Sequence, residues 1–285
     1  MTAALPPPGW PLADWSRIVT HRPHRWHVQE AGAGPTLMFI HGAAGATHSW
    51  RDILPDLARD HHVVALDLPG QGFTRMGTRA RCGLAPSSED IASLAEAQGW
   101  RVDTVIGHSA GAAIALQLAG DLDPAPRRVI GINAALEHFS GAAGWLFPAM
   151  AKMMAANPLT ATMLSLSATR GMVERLLGVT GGEIDARGID CYLHLFRMRA
   201  HVDATLAMMA QWSLAPLDAR LPRLTQPVLF VTGERDTAVA PRVSEDAAAR
   251  MPNAETVMLD RLGHLAHEEA PGRVLPLIRD WVTRG

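Results

Sequence analysis

Apolar and polar residues follow two rhythms along this chain. Short, nearly continuous apolar runs recur at Thr36–Ile40, His62–Leu66, Thr104–Gly107, Arg128–Ile132, Pro227–Thr232 and Glu255–Leu259. Runs of that length read as strands buried on both faces. Between them lie stretches with helical spacing. Trp50, Ile53, Leu54 and Leu57 share one face, Ile91 and Leu94 another, and Val274, Leu277, Ile278 and Trp281 a third. Ser87 with Asp90 predicts a helix start, and Gly99 its end. Pro276 fits the last helix only within its first turn. Ahead of these units, Ser16–Thr20 and Trp26–Gln29 read as a hairpin. Strands alternating with amphipathic helices call for a parallel sheet covered on both faces.

The strand rhythm stops after Asn133. From Ala134 to about Leu221 one helical stretch follows another, with breaks at Pro148, Pro158, Gly171 and Gly181-Gly182. Eight of the 13 methionines fall between Met150 and Met209. The expected fold class is therefore α/β, a mostly parallel central sheet flanked by helices with a helical cap inserted. Residues 1–133 form the first part of the core, 134–221 the cap and 222–285 the second part of the core.

Composition narrows the function classes. The 285 residues suit one α/β domain with an insertion. A net charge of −2, with Lys and Arg scattered, argues against a nucleic-acid partner. Cys82 and Cys191 are the only cysteines, too few for a disulfide framework. Met1–Pro8 has neither the basic nor the apolar region of a signal peptide, and no long apolar window suggests a membrane span. The default expectation is a cytoplasmic protein. His21, His24 and His27 lack accompanying carboxylates or cysteines, so surface hairpin histidines are expected there and no metal site.

The chemistry centres on Val105-Ile106-Gly107-His108-Ser109-Ala110-Gly111, a G-x-S-x-G sequence between an apolar run and an alanine-rich stretch. Strand, tight turn and helix would expose the Ser109 hydroxyl at the top of the sheet, with Gly107 and Gly111 making room for the turn. A serine nucleophile needs a base, and the base an orienting acid. Asp236 follows the Pro227–Thr232 run and is the candidate acid, with Glu234 as the alternative; His264 follows the last strand and is the candidate base, with His267 a weaker candidate. His41-Gly42-Ala43-Ala44-Gly45 ends the Thr36–Ile40 strand and suits an oxyanion loop. The expected oxyanion donors are the backbone N–H groups of Ala43 and Ala110. Trp145, Phe147, Met150, Met154, Met208, Met209 and Trp212 are candidate substrate contacts, because methionine adapts to large irregular ligands and aromatic rings add stacking surface. Their alternative use is to fill the cap's own core. No cofactor is called for.

This order of Ser, acid and His resembles the α/β-hydrolase family over nearly the whole chain. Trp26–Gln29, Thr47–Asp52, Gly107–Ala115, Asn133–Leu136, Leu146–Pro148, Met208–Trp212 and Gly263–Glu269 further resemble the BchO-type magnesium chelatase accessory proteins of bacteriochlorophyll biosynthesis. Gly42-Ala43-Ala44 departs from that family's Gly-Thr-Gly, and Gln71 from its His. The resemblance implies a small-molecule substrate, a magnesium-porphyrin ester hydrolysed at a carboxylic (methyl) ester. It also brings in magnesium chelatase subunits as partners and a place peripheral to the photosynthetic membrane. Two alternatives stay open: a non-catalytic porphyrin-binding accessory protein, and a hydrolase of small esters or C–C bonds. An Asp-nucleophile epoxide hydrolase is disfavoured by Ser109 and by Tyr192 being the only tyrosine.

Overall fold

A computed structural model of the protein describes residues 5–137 and 152–284. Eight strands form one sheet in the order β1-β2-β4-β3-β5-β6-β7-β8, with β1 Ser16–His21, β2 His24–Ala31, β3 Thr36–Ile40, β4 His62–Leu66, β5 Val102–His108, β6 Arg128–Ile132, β7 Val228–Gly233 and β8 Ala254–Leu259. β1, β2 and β4 pair antiparallel; every pairing from β4 to β8 is parallel. The expected α/β-hydrolase arrangement is thus present.

Side-chain alternation explains why the strands read as unbroken apolar runs. Met38 and Ile40 of β3 pack into the core on one face, with Val105, Val129 and Phe230. Leu37 and Phe39 pack on the other, with Ile106, Ile130 and Val231. Helices Leu84–Gln98 and Ala110–Leu118 cover the first face, and Pro271–Thr283 covers the second. With helices on both sides, no strand position can remain polar without losing buried apolar area. The chain leaves β3 toward β4 and returns past β3 to β5, so the strand order reverses between β3 and β5. The crevice at the carboxyl ends of those two strands is where open α/β sheets place their sites.

Helices Pro158–Ser167, Arg170–Gly178, Ala186–Arg197, Arg199–Gln211 and Ala215–Arg220 lie between β6 and β7. Side chains of Asn157, Thr169 and Asp185 cap the first three, accepting from the backbone N–H groups of Leu159, Met172 and Gly188. Buried polar groups tie these helices to the core. Tyr192 donates its hydroxyl to Glu268 at 2.8 Å, and Glu268 also accepts from Ser49 at 2.7 Å and pairs with Arg51 at 2.5 Å. Arg51 continues to Asp185 at 3.0 Å. The hydroxyl of the only tyrosine is therefore spent on a buried carboxylate.

Several expectations are corrected. Trp50, Ile53, Leu54 and Leu57 are all buried, but the chain there is a 3₁₀ turn, Thr47–Trp50, followed by a one-turn helix, Leu54–Leu57. Pro55 supplies no N–H, so it sits at that helix's start. The next helix begins at Leu84, ahead of Ser87, and Ser87 and Asp90 are buried in its body, with Asp90 accepting from His24 and Arg81. Gly171 lies in the first turn of a helix and does not break it. Pro276 lies inside Pro271–Thr283, beyond the first turn. Its missing bond falls on the exposed Gly272, open to solvent, while Val274, Ile278 and Trp281 hold the helix down. His24 and His27 are buried, contrary to the surface expectation. His27 bonds Asp67 at 2.7 Å and Ser16 at 3.0 Å, while His21 turns to Ser93, so the three rings point to separate partners.

Burial holds the rings of His41, His108 and His267 below the ordinary range, brings His48 to about 4 and brings His201 to about 3. The unfolded chain takes up these protons near pH 6.5, and the folded chain only at much lower pH. The unfolded state thus binds more protons in between, and stability falls as pH drops below that value. Urea unfolding is expected to lose more than about 1.4 kcal/mol per pH unit between about pH 6 and pH 5, steeper than one histidine provides. A flat profile over that interval would contradict the burial of these rings in the neutral form.

Candidate active site

The turn after β5 has no room for side chains. A Cβ on Gly107 would lie 2.2 Å from the carbonyl oxygen of Gly111, and one on Gly111 would lie 2.2 Å from that of Ile40. With both positions bare, helix Ala110–Leu118 starts immediately at the end of β5 and presses against β3. Ser109, caught between strand and helix, takes φ 54° and ψ −120°. A non-glycine residue there stores about 1–3 kcal/mol of strain and persists only where its surroundings over-determine it. Here the Ser109 N–H donates to Ile132 at 2.9 Å, and its carbonyl accepts from Ala112 and Ala135.

Asp236 and His264 meet at the ends of β7 and β8. His264 Nδ1 lies 2.8 Å from Asp236 Oδ2. The same carboxylate accepts from Asn133 Nδ2 at 2.7 Å and, through Oδ1, from the N–H groups of Ala238 and Val239 at 2.8 Å each. Four donors on a buried carboxylate fix its plane and keep it an acceptor. The His264 loop is pinned as well. Gly263 donates to Glu269 at 3.0 Å, and the His264 N–H donates to Thr180 at 3.1 Å. A Cβ on Gly263 would come within 2.3 Å of the Gly182 nitrogen, so Gly181-Gly182 seats the cap against this loop. His108 Nε2 donates to the His264 carbonyl at 2.8 Å. Among the described residues no hydrogen bond joins Ser109 Oγ to His264; the acid–base half alone is closed. Glu234 is exposed and accepts from the Arg261 N–H, away from His264, and His267 is taken by Ser49.

The His41–Gly45 loop, the candidate oxyanion loop, is braced from the helices between β6 and β7. A Cβ on Gly42 would lie 3.0 Å from that of Ser109, which sets this loop directly beside the elbow. His41 donates through Nδ1 to the Gly42 carbonyl at 2.7 Å and accepts from Leu68 N–H at 2.9 Å. Ala44, at φ 62°, is gripped at both ends. Its N–H donates to Gln71 Oε1 at 2.8 Å, and its carbonyl accepts from His201 Nε2 at 3.2 Å. His201 belongs to the cap helix Arg199–Gln211 and accepts from Gly72 through Nδ1 at 2.9 Å; Gln71 Nε2 reaches Met208 Sδ on the same helix at 3.0 Å. The Ala43 and Ala110 N–H groups have no acceptor among the described residues.

The cap contacts divide. Trp145, Phe147 and Met150 lie outside the described residues. Met154 and Trp212 are half-buried, and Trp212 packs on the core. Met208 is buried against Gln71, whereas Met209, its neighbour in sequence, is exposed, so the two do not share a surface. His194 stands beside Trp10 and Phe73 with ring centroids 5.6 and 6.1 Å away. No group of three or more His, Cys, Asp or Glu able to hold a metal occurs among the described residues. The sequence reading assigns no role in the site to Asn133, Gln71 or His201. Asn133 carried a signal as a polar residue closing a buried strand, and Gln71 only as a departure from the BchO-type His.

Comparison with known proteins agrees with the fold. The pattern of the alpha/beta hydrolase fold family matches residues 35–271. The chain is 43% identical over 279 residues to the magnesium-chelatase 30 kDa subunit of Rhodobacter capsulatus, covering 97% of each. It is 26% identical to the pimeloyl-[acyl-carrier protein] methyl ester esterase of Nitrosomonas europaea, covering 84% of this chain and 92% of the other. An alpha/beta hydrolase fold protein from Burkholderia ambifaria superposes with a TM-score of 0.74 at 22% identity, over 94% of this chain and 98% of that one. The chain belongs to the α/β-hydrolase fold family, in the branch that contains the magnesium-chelatase 30 kDa subunit of Rhodobacter capsulatus.

Proposed function

We propose that this protein is a serine hydrolase that cleaves a carboxylic methyl ester of a magnesium-porphyrin intermediate. The observation that carries the reading is the Asp236–His264 hydrogen bond at 2.8 Å beside a strained, half-buried Ser109. With Nδ1–H held by the carboxylate, the lone pair of His264 sits on Nε2, the nitrogen that takes the serine proton. Ser109 Oγ then attacks the ester carbonyl carbon. The oxygen that gains charge is met by the N–H groups of Ala43 and Ala110, which have no competing acceptor among the described residues. His264 returns the proton to the departing methanol, and water repeats the sequence to release the acid and regenerate Ser109.

The substrate class rests on relatives. One relative's name ties it to magnesium chelatase, and another's to methyl ester hydrolysis. Met208 and Trp212 stay proposed contacts for a flat, apolar ring; Met209 is withdrawn because its side chain faces solvent. The chelatase name also favours a second reading, in which the cap binds porphyrin for a chelatase without turnover.

The direct test is incubation with magnesium-protoporphyrin monomethyl ester, following acid and methanol by chromatography. Turnover is expected, and Ser109→Ala should remove it, a loss of about 10⁶-fold for a catalytic serine. Saturable binding without turnover would instead support the accessory reading, and equal turnover by Ser109→Ala would exclude the proposed nucleophile. Asp236→Asn is expected to lower kcat by about 10⁴-fold, since the amide favours the wrong tautomer of His264. Glu234→Gln should stay near wild type, and the reverse ranking would reassign the acid. Gln71→Ala and His201→Ala should each lower kcat by about 10–100-fold with little change in KM, because a small displacement of Ala43 misplaces an oxyanion donor. A change in melting temperature with kcat intact would limit both residues to a structural role.

A further inference from the structure

His108 is a buried titratable residue that the proposed reaction does not use. It closes β5, and strand alternation puts it on the same sheet face as Ile106, within the apolar core on that side. Ile132 stands opposite it on β6, and the residue is only 3% exposed. An apolar side chain would fill such a position without stripping water from two ring nitrogens. Packing alone therefore gives no reason for an imidazole at this point.

Its contacts join the parts of the site. Nε2 lies 2.8 Å from the carbonyl oxygen of His264. A carbonyl can only accept, so in the neutral ring the proton sits on Nε2 and the lone pair on Nδ1. Nδ1 faces the His41–Gly45 loop, where a Cβ on Gly42 would lie 2.8 Å from it. The ring also packs against those of His264 and His267, with centroids 4.9 and 4.5 Å away. His267 is itself held by Ser49 at 2.7 Å, so the ring of His108 rests on a fixed neighbour. Burial, with the rings of His267 and His264 beside it, holds His108 well below the ordinary histidine range. A neutral His108 adds no repulsion when His264 takes up the serine proton.

Chain connectivity gives this bond its weight. His108 is separated from Ser109 by one peptide bond. Among the described residues, the bond from His108 is the one hydrogen bond that joins the Gly107–Gly111 turn directly to the Leu262–Leu265 loop. The other holds on His264 run elsewhere: Thr180 takes its N–H, and Asp236 meets its Nδ1. They fix the base to the helices between β6 and β7 and to the loop after β7, and neither fixes it to the nucleophile. We infer that His108 is a positioning residue that sets the separation of Ser109 and His264 by tying the backbone of the base to the elbow. The inference rests on the serine-hydrolase reading above.

The rate at which a fluorophosphonate labels Ser109 tests it. His108→Met fills the space with an adaptable side chain that has no donor, and His108→Gln restores an N–H. The Met variant should label about 10–100-fold more slowly than wild type, the effect of a small misplacement of reacting groups. The Gln variant should recover most of that loss. In a His264→Ala background, His108→Met should slow labelling no further, because no base is left to place. Equal labelling by wild type and the Met variant would overturn the inference. So would a Gln variant as slow as Met, or a Met penalty that persists undiminished without His264. A Met variant that loses its fold would assign His108 to stability and overturn it as well. Absence of any Ser109 label on wild type would remove the serine-hydrolase reading, and this inference with it.

Discussion

The close approach of helix Ala110–Leu118 to strand β3 governs the rest of the structure. A Cβ at Gly111 would sit 2.2 Å from the Ile40 carbonyl oxygen, so the contact exists only between bare backbones. That contact forces the chain to turn within one residue, and the residue that absorbs the turn is Ser109. It also brings the ends of β3 and β5 together, so that the His41–Gly45 loop and the elbow share one crevice. The strain at Ser109 is offset by the hydrogen bonds of its own peptide groups and by the packed helix behind it.

A second constraint is the wiring of the cap. Its helices reach the core through apolar packing, as of Met208 and Leu217 on the main core and of Leu195 on Trp10 and Phe73, and also through buried polar groups. Tyr192 and Asp185 reach the Glu268–Arg51 pair, and His201 and Met208 reach the His41–Gly45 loop and Gln71. A buried ion pair such as Arg51–Glu268 adds little net stability compared with apolar packing, but breaking one partner is costly. Such contacts fix where the cap sits more than they hold it on. Because Ala44 is held through both its N–H and its carbonyl, the position of the neighbouring Ala43 N–H, the proposed oxyanion donor, depends on where helix Arg199–Gln211 lies.

The sheet was largely legible in the sequence because both its faces are buried. Unbroken apolar runs such as Thr36–Ile40 then match strand limits closely. The elbow was legible because two glycines at fixed offsets are a steric requirement. Helix starts were less legible. Ser87 and Asp90 look like a cap, yet Asp90 serves Arg81 in the preceding loop and His24 on a strand 66 residues away. The histidines misled for the same reason: on opposite faces of β2, His24 meets Asp90 and His27 meets Asp67, which no local pattern announces. Asn133, Gln71 and His201 act through contacts spanning 27 to 157 residues of chain, so their part in the site belongs to the fold and not to any segment. Leu159, Met163 and Leu166 of helix Pro158–Ser167 are exposed and invert the usual rule, and periodicity alone cannot tell which side of a helix faces in.

The central claim is that the fold makes Ser109 the nucleophile, with His264 as its base. Reaction with a fluorophosphonate, followed by peptide mapping, examines it without assuming a substrate. The account predicts a single covalent adduct on Ser109, formed quickly by wild type and far more slowly by His264→Ala. An adduct elsewhere, or none on a folded protein, would contradict it.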